Sequence, residues 1–126
     1  MIVGVGTDIL KMSRIEALTD LDDPFYARCF TEAERSEALS RETPVRHFCT
    51  KFSVKEAVLK ALGLQEPALS LSMIEVLNSG GGRPVVYLHK QARAAADALG
   101  VDEIFASASF DGEYSAAVAI CCKRDP

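Results

Sequence analysis

Tryptophan is absent from the 126 residues, histidine occurs twice and cysteine four times. His47 and His89 stand at no ligand spacing from each other or from the cysteines, so a zinc site is not expected. Cys29, Cys49, Cys121 and Cys122 form no Cys-x-x-Cys pair, and in a strand Cys121 and Cys122 point to opposite faces. Reduced thiols in a cytoplasmic protein are the simplest reading. Long apolar runs are missing too. Met1–Gly6 meets Asp8 too soon for a signal peptide, and no stretch approaches the roughly 20 apolar residues of a membrane span. Nor is there an excess of positive charge. A formal net charge of -4 argues against general nucleic-acid binding, which needs a basic footprint, while leaving room for a local basic site.

What is present suits one domain over residues 1–126, with 48% hydrophobic and 25% charged residues. Residues 2–9 are apolar and β-branched and read as a strand that stops at an acidic residue. Ser13 is placed to cap a short helix, and Asp20-Leu21-Asp22-Asp23-Pro24 to break or re-aim it. Thr31-Glu32-Ala33-Glu34 fits a capping box leading a helix to about Leu39. The clearest helix covers residues 44–62, with Thr43 as cap, Pro44 at its first turn and Gly63 just past its end. Leu69–Asn78 and Val85–Leu88 read as strands around the Ser79-Gly80-Gly81-Gly82 turn. Lys90–Leu99 reads as a helix stopped by Gly100, and Ile104–Phe110 and Tyr114–Cys122 as a hairpin around Asp111-Gly112. The expected fold class is α+β, a mostly antiparallel sheet packed against a long helix.

The long helix carries an anomaly. Positions 48, 52, 56 and 60 form one i, i+4 stripe that begins as Phe48 and Phe52 and continues as Glu56 and Lys60. Two charges that continue an apolar stripe either make an ordinary surface pair or line a site at the core's edge. Lys55 is read as solvated. Asp8, at the end of a strand with a buried face, is either a turn residue or a carboxylate held by a cation. Asp8 and Glu56 together supply two hard oxygen ligands, the usual protein share of a magnesium site whose remaining positions go to water and phosphate. Lys60, one turn from Glu56, would then face the same phosphates, an arrangement suited to phosphoryl chemistry.

The chain resembles the holo-acyl-carrier-protein synthases, the small trimeric 4′-phosphopantetheinyl transferases. The likeness is carried by Val5-Gly6-Thr7-Asp8-Ile9, Arg14-Ile15 and above all Lys55-Glu56-Ala57-Val58-Leu59-Lys60-Ala61-Leu62-Gly63. It continues through Ile74-Glu75-Val76, Gly82-Arg83-Pro84 and Glu113-Tyr114-Ser115-Ala116-Ala117, and so spans essentially the whole chain. The resemblance implies that a serine of an apo acyl carrier protein attacks the β-phosphate of coenzyme A, accepts its 4′-phosphopantetheine arm and releases 3′,5′-ADP. By motif position it implies Asp8 and Glu56 as magnesium ligands and Lys60 on the phosphates. Gly82, Arg83 and Pro84 would lie along the nucleotide end of the cofactor, and Arg14 would meet the carrier protein. Lys51 stands where the family usually has arginine and would approach a phosphate of coenzyme A. It keeps the charge but lacks the bidentate fork. A homotrimer with sites between subunits is implied as well.

Four departures accompany the likeness. Where the family usually reads Ser-x-Ser/Thr-His, this chain has Ser107-Ala108-Ser109-Phe110, and phenylalanine neither donates a hydrogen bond nor carries charge. Asp111 follows, either as a catalytic base or as the turn residue. Asp20, Asp22 and Asp23 replace basic residues that in many relatives meet the carrier. Leu64-Gln65-Glu66-Pro67 replaces a Thr-Gly-Ile turn, and Val54 a smaller residue. The general base stays open among a magnesium-bound water, Glu56 and Asp111. The alternative function is an impaired relative that binds coenzyme A or an assembly partner without transfer. A third is a transferase for a different carrier.

Overall fold

In the computed structural model, which describes residues 1–18, 20–65, 70–78 and 82–124, the first strand runs further than its apolar stretch. β1 spans Ile2–Lys11, because every residue from Gly4 to Lys11 finds an antiparallel partner on β5 (Tyr114–Cys122). β4 (Glu103–Asp111) pairs with the other edge of β5, giving the order β1-β5-β4. The Asp111-Gly112 hairpin forms as expected, with Gly112 at φ 57. A second sheet pairs β2 (Ile74–Leu77) with β3 (Val85–Leu88). The expected strand over 69–78 is shorter. Leu71–Met73 form a turn of 3₁₀-helix, and Leu69 and the Ser79–Gly81 part of the turn lie outside the described residues.

Two helix starts differ from expectation. α1 (Ser13–Glu16) has Met12 as its N-cap residue and no side-chain cap, so Ser13 is the first helical residue. The acidic stretch also begins a helix as well as ending one. Asp23 accepts a hydrogen bond from Phe25 N, Pro24 fills the first position, and α2 (Pro24–Cys29) follows. The capping box at Thr31 and Glu34 is complete and opens α3 (Glu32–Leu39). α4 runs Pro44–Ala61 with Gly63 at φ 70 beyond it, although the Thr43 side chain makes no cap bond. α5 (Lys90–Leu99) ends on Gly100 at φ 76.

α4 lies across β1 and β5. Val54, Ala57, Val58 and Ala61 on α4 pack with Ala117, Ala119 and Cys121 of β5 in one core cluster. A second cluster joins Phe48 and Cys49 to Tyr26 and Phe30. The opposite face of the three-stranded sheet is uncovered: Val5, Ile9 and Phe105 are 57%, 70% and 45% exposed. All four cysteines are free thiols. Among the described residues no helix is long and apolar enough to cross a membrane.

Candidate functional site

The crossing of β1 and α4 is unusually close because β1 presents glycine there. A Cβ on Gly6 would stand 1.9 Å from the Ala57 carbonyl oxygen, and one on Gly4 2.0 Å from that of Ala61. Strand alternation puts Gly4, Gly6, Asp8 and Leu10 on this same face. Gly6 is level with Ala57, and Ser115, the partner of Leu10, meets Ser53 at 2.9 Å between hydroxyls. Asp8 therefore falls level with the turn of α4 between Ser53 and Ala57, the turn that carries Glu56. Lys60 reaches over from the next turn. Its ammonium donates to the Thr7 carbonyl at 3.0 Å and stands 3.5 Å from Asp8 Oδ1. Burial pushes the Asp8 carboxyl above its usual range, opposed by the charges of Lys60 and of exposed Arg14 on α1. A carboxylate pushed that way favours a cation beside it.

At the β4 edge a cleft of about 380 Å³ is lined by Arg41, His47, Lys51, Gly82, Arg83, Pro84 and Phe110 among others. Phe110 is 47% exposed and carries the Arg46 guanidinium 4.3 Å from its ring centroid. Burial and the nearby charges of Arg41 and Lys51 lower the His47 pKa. Arg41, Arg46 and His47 were not among the expected site residues. His47 had a sequence signal, standing one turn before Lys51 on the same helical face, whereas Arg41 precedes the helix and had none.

The structure separates residues that the sequence reading grouped. Lys51 and Lys60 are nine residues apart, which on an α-helix is about half a turn out of phase and roughly 13 Å along the axis. They face opposite sides of α4, so within one chain they do not meet a common phosphate group. Asp111 pairs with Tyr114, two strands from β1. Strand rise and spacing put it on the order of 14 Å from Asp8.

Lys55 is a correction. It is wholly buried, not solvated, and its ammonium donates to Glu34 Oε1 at 2.8 Å, Leu71 O at 3.0 Å and Ile74 O. Burial lowers its pKa and the Glu34 carboxylate opposes the shift. Glu34 is itself wholly buried and also accepts from Thr31 N and Val76 N. One turn earlier, Lys51 is 2% exposed and donates to Glu37 Oε1 at 2.6 Å and Val76 O at 2.7 Å, with Asn78 Oδ1 at 3.5 Å.

Residues 4–119 match the family described as the 4′-phosphopantetheinyl transferase superfamily. The holo-[acyl-carrier-protein] synthase of Moorella thermoacetica is 43% identical over 115 residues, covering 91% of this chain and 90% of that protein. The Plasmodium yoelii acyl carrier protein synthase with ADP bound has the same fold, with a TM-score of 0.87, 30% identity and coverage of 99% of this chain and 98% of that one. A Bacillus anthracis holo-(acyl-carrier-protein) synthase in complex with CoA (3′,5′-ADP) superposes with a TM-score of 0.78 at 28% identity, covering 98% and 99%. The α+β fold and these matches together define the class as phosphopantetheinyl transferase. The chain belongs to the 4′-phosphopantetheinyl transferase superfamily, among its holo-[acyl-carrier-protein] synthases.

Proposed function

We propose that the protein moves the 4′-phosphopantetheine arm of coenzyme A onto a serine of an apo acyl carrier protein, with Mg²⁺ held by Asp8 and Glu56, in the cytoplasm. The observation that carries this reading is the partly buried Asp8 carboxylate facing Lys60 at the level of Glu56. The donor set suits magnesium. Two carboxylates leave the other positions to water and phosphate, and among the described residues no group of three or more His, Cys, Asp or Glu forms a protein-only cage. Bound there, the ion would neutralise charge that develops on the diphosphate. In the transfer the serine oxygen bonds to the β-phosphorus, the bond from that phosphorus to the bridging oxygen breaks, and 3′,5′-ADP leaves with that oxygen. Lys60 would turn its exposed ammonium from Thr7 and Asp8 to the phosphates. Of the carboxylates proposed as base, Glu56 stands beside the reacting group within one chain. Asp111 would reach it from a neighbouring copy.

The nucleotide end would lie along Gly82, Arg83 and Pro84 in the β4-edge cleft. With that cleft and Asp8 on opposite edges of the sheet, a homotrimer whose copies share each site fits the geometry. The uncovered apolar face with Val5, Ile9 and Phe105 supplies a surface for it. Arg14, exposed on α1 and close enough to act on the charge of Asp8, would meet the acyl carrier protein.

Intact-mass analysis of apo acyl carrier protein incubated with the enzyme, coenzyme A and Mg²⁺ tests the reading. One added phosphopantetheine arm is expected, lost with EDTA and lost in Asp8→Ala and Glu56→Ala while their folds persist. Unchanged turnover in either variant removes the proposed metal site. Phe110 favours a second reading, binding of coenzyme A without transfer. No mass gain beside a working control enzyme selects it.

A further inference from the structure

The β4-edge cleft contains two groups of cations in different chemical situations. Lys51 is largely spoken for: its ammonium is 2% exposed, donates short bonds to Glu37 Oε1 and Val76 O, and makes a long contact with Asn78 Oδ1 at 3.5 Å. Two short bonds and near-complete burial leave little of an ammonium to offer a ligand in the cleft. Glu37 Oε1 also accepts from Asn78 N at 2.9 Å, so one carboxylate oxygen ties the lysine to the end of β2. Burial alone would raise the Glu37 carboxyl, but the bonds from Lys51 and Asn78 N and the charges of Lys51 and Arg41 outweigh it and hold it below its usual range. Asn78 passes the constraint on, its Nδ2 donating to Gly82 O at 3.1 Å. Arg41 is in the opposite condition. Nη2 makes a long contact with Asn78 O at 3.5 Å, while Nε is buried and has no hydrogen-bond partner among the described residues. Arg41 lines the cleft, and the outer edge of its guanidinium, engaged by that long contact, can meet an anionic group there.

We infer that Lys51 is a positioning residue rather than a phosphate ligand: with Glu37 it fixes Asn78 and, through it, the Gly82–Pro84 wall, and Arg41 is the cation that meets an anionic group there. The ligand class is a phosphate of a nucleotide, and this part of the inference rests on the function proposed above.

Glu37→Gln separates the two roles by sign. If Lys51 positions the wall, losing the carboxylate loosens Asn78 and weakens calorimetric binding of 3′,5′-ADP about tenfold, with KM for coenzyme A raised and kcat held. If Lys51 is instead a phosphate ligand, the same change frees its ammonium and binding tightens, which overturns the inference. Lys51→Met should match Glu37→Gln, and the double variant should be no worse than either. Arg41→Gln should cost about tenfold and flatten the salt dependence of binding; unaltered affinity overturns its role. Should Lys51→Met fail to fold, Glu37→Gln, whose side chain is partly exposed, still decides. Hydrogen exchange at Gly82 and Arg83 decides the positioning step without nucleotide. Faster exchange in Glu37→Gln is expected, and unchanged exchange overturns it. Wild-type protein that does not bind 3′,5′-ADP refutes the nucleotide reading, and the exchange result still judges the lysine.

Discussion

Gly6→Ala replaces a hydrogen with a methyl group at the narrowest point between β1 and α4. The new Cβ would stand 1.9 Å from the Ala57 oxygen and 2.7 Å from the Ala61 nitrogen, both backbone atoms that no side-chain rotation can move aside. Ordinary contact begins at 3.4 Å, so β1 has to retreat by about 1.5 Å. The strand is bound to β5 along its length, and overpacking of this kind costs about 1–3 kcal/mol. Asp8, two residues on and on the same face, travels with the strand. Glu56 stays with the helix. Misplacing reacting groups by about 1 Å costs on the order of 10²-fold in rate. Urea unfolding should therefore show a folded protein weakened by about 1–3 kcal/mol, and transfer to apo acyl carrier protein at saturating Mg²⁺ and coenzyme A should show kcat down about 100-fold. Gly100→Ala is the comparison: it is strained at φ 76, beside Lys123 at the end of α5, and should lose stability with kcat unchanged. A Gly6→Ala enzyme destabilised as expected but with kcat within about twofold of wild type would refute the reasoning, because the chemistry would then be indifferent to the β1–α4 spacing.

Three further outcomes are expected. Lys55→Met or Glu34→Gln alone leaves a buried charge without its counter-ion and should cost about 3–5 kcal/mol in urea unfolding, while the double variant should recover part of that loss. Glu37 and Glu75 have folded pKa values below the ordinary 4.5, Glu75 through bonds from Thr31 and His89 that outweigh its burial. Their contribution to stability is complete above pH 4.5 and is lost as pH falls through the folded values, so the melting temperature should drop in that acidic window and less steeply in Glu75→Gln. Phe110→His should lower KM for coenzyme A or raise kcat in steady-state transfer, by placing a hydrogen-bonding ring in the cleft beside Arg46. A loss of both would mean that the cleft has been rebuilt around the phenylalanine.

Much of the fold was legible because its signals are local. The capping box at Thr31, the Pro44 and Gly63 ends of α4, and the Asp111-Gly112 turn all act within a few residues and form where expected. α2 was missed because Asp23-Pro24 is ambiguous: the same pair stops one helix and starts another, and only the aromatic core that Tyr26 and Phe30 enter selects the second meaning. Lys55 was misjudged for a different reason. Lysine is rarely buried unless paired, and its partner Glu34 lies 21 residues away across a turn whose path the sequence does not specify. The splitting of Lys51 from Lys60 was readable from their spacing alone, since nine residues turn a helix about half a revolution out of phase. Motif order along the chain obscured it. The register of Asp8 against α4 needed the two glycine contacts, which only packing reveals.

The paired lysines of α4 also act as a vernier. Lys51 and Lys55 are one turn apart, and they meet Glu37 and Glu34, which are one turn apart on α3. Slide the long helix by one turn and Lys51 would come opposite Glu34. The other ammonium and Glu37 would then be misaligned, leaving charge stranded at a cost of several kcal/mol. Hydrophobic burial alone discriminates weakly between such shifted alignments. Two graduations that coincide at a single setting discriminate strongly, and that setting is the one that brings Glu56 level with Asp8.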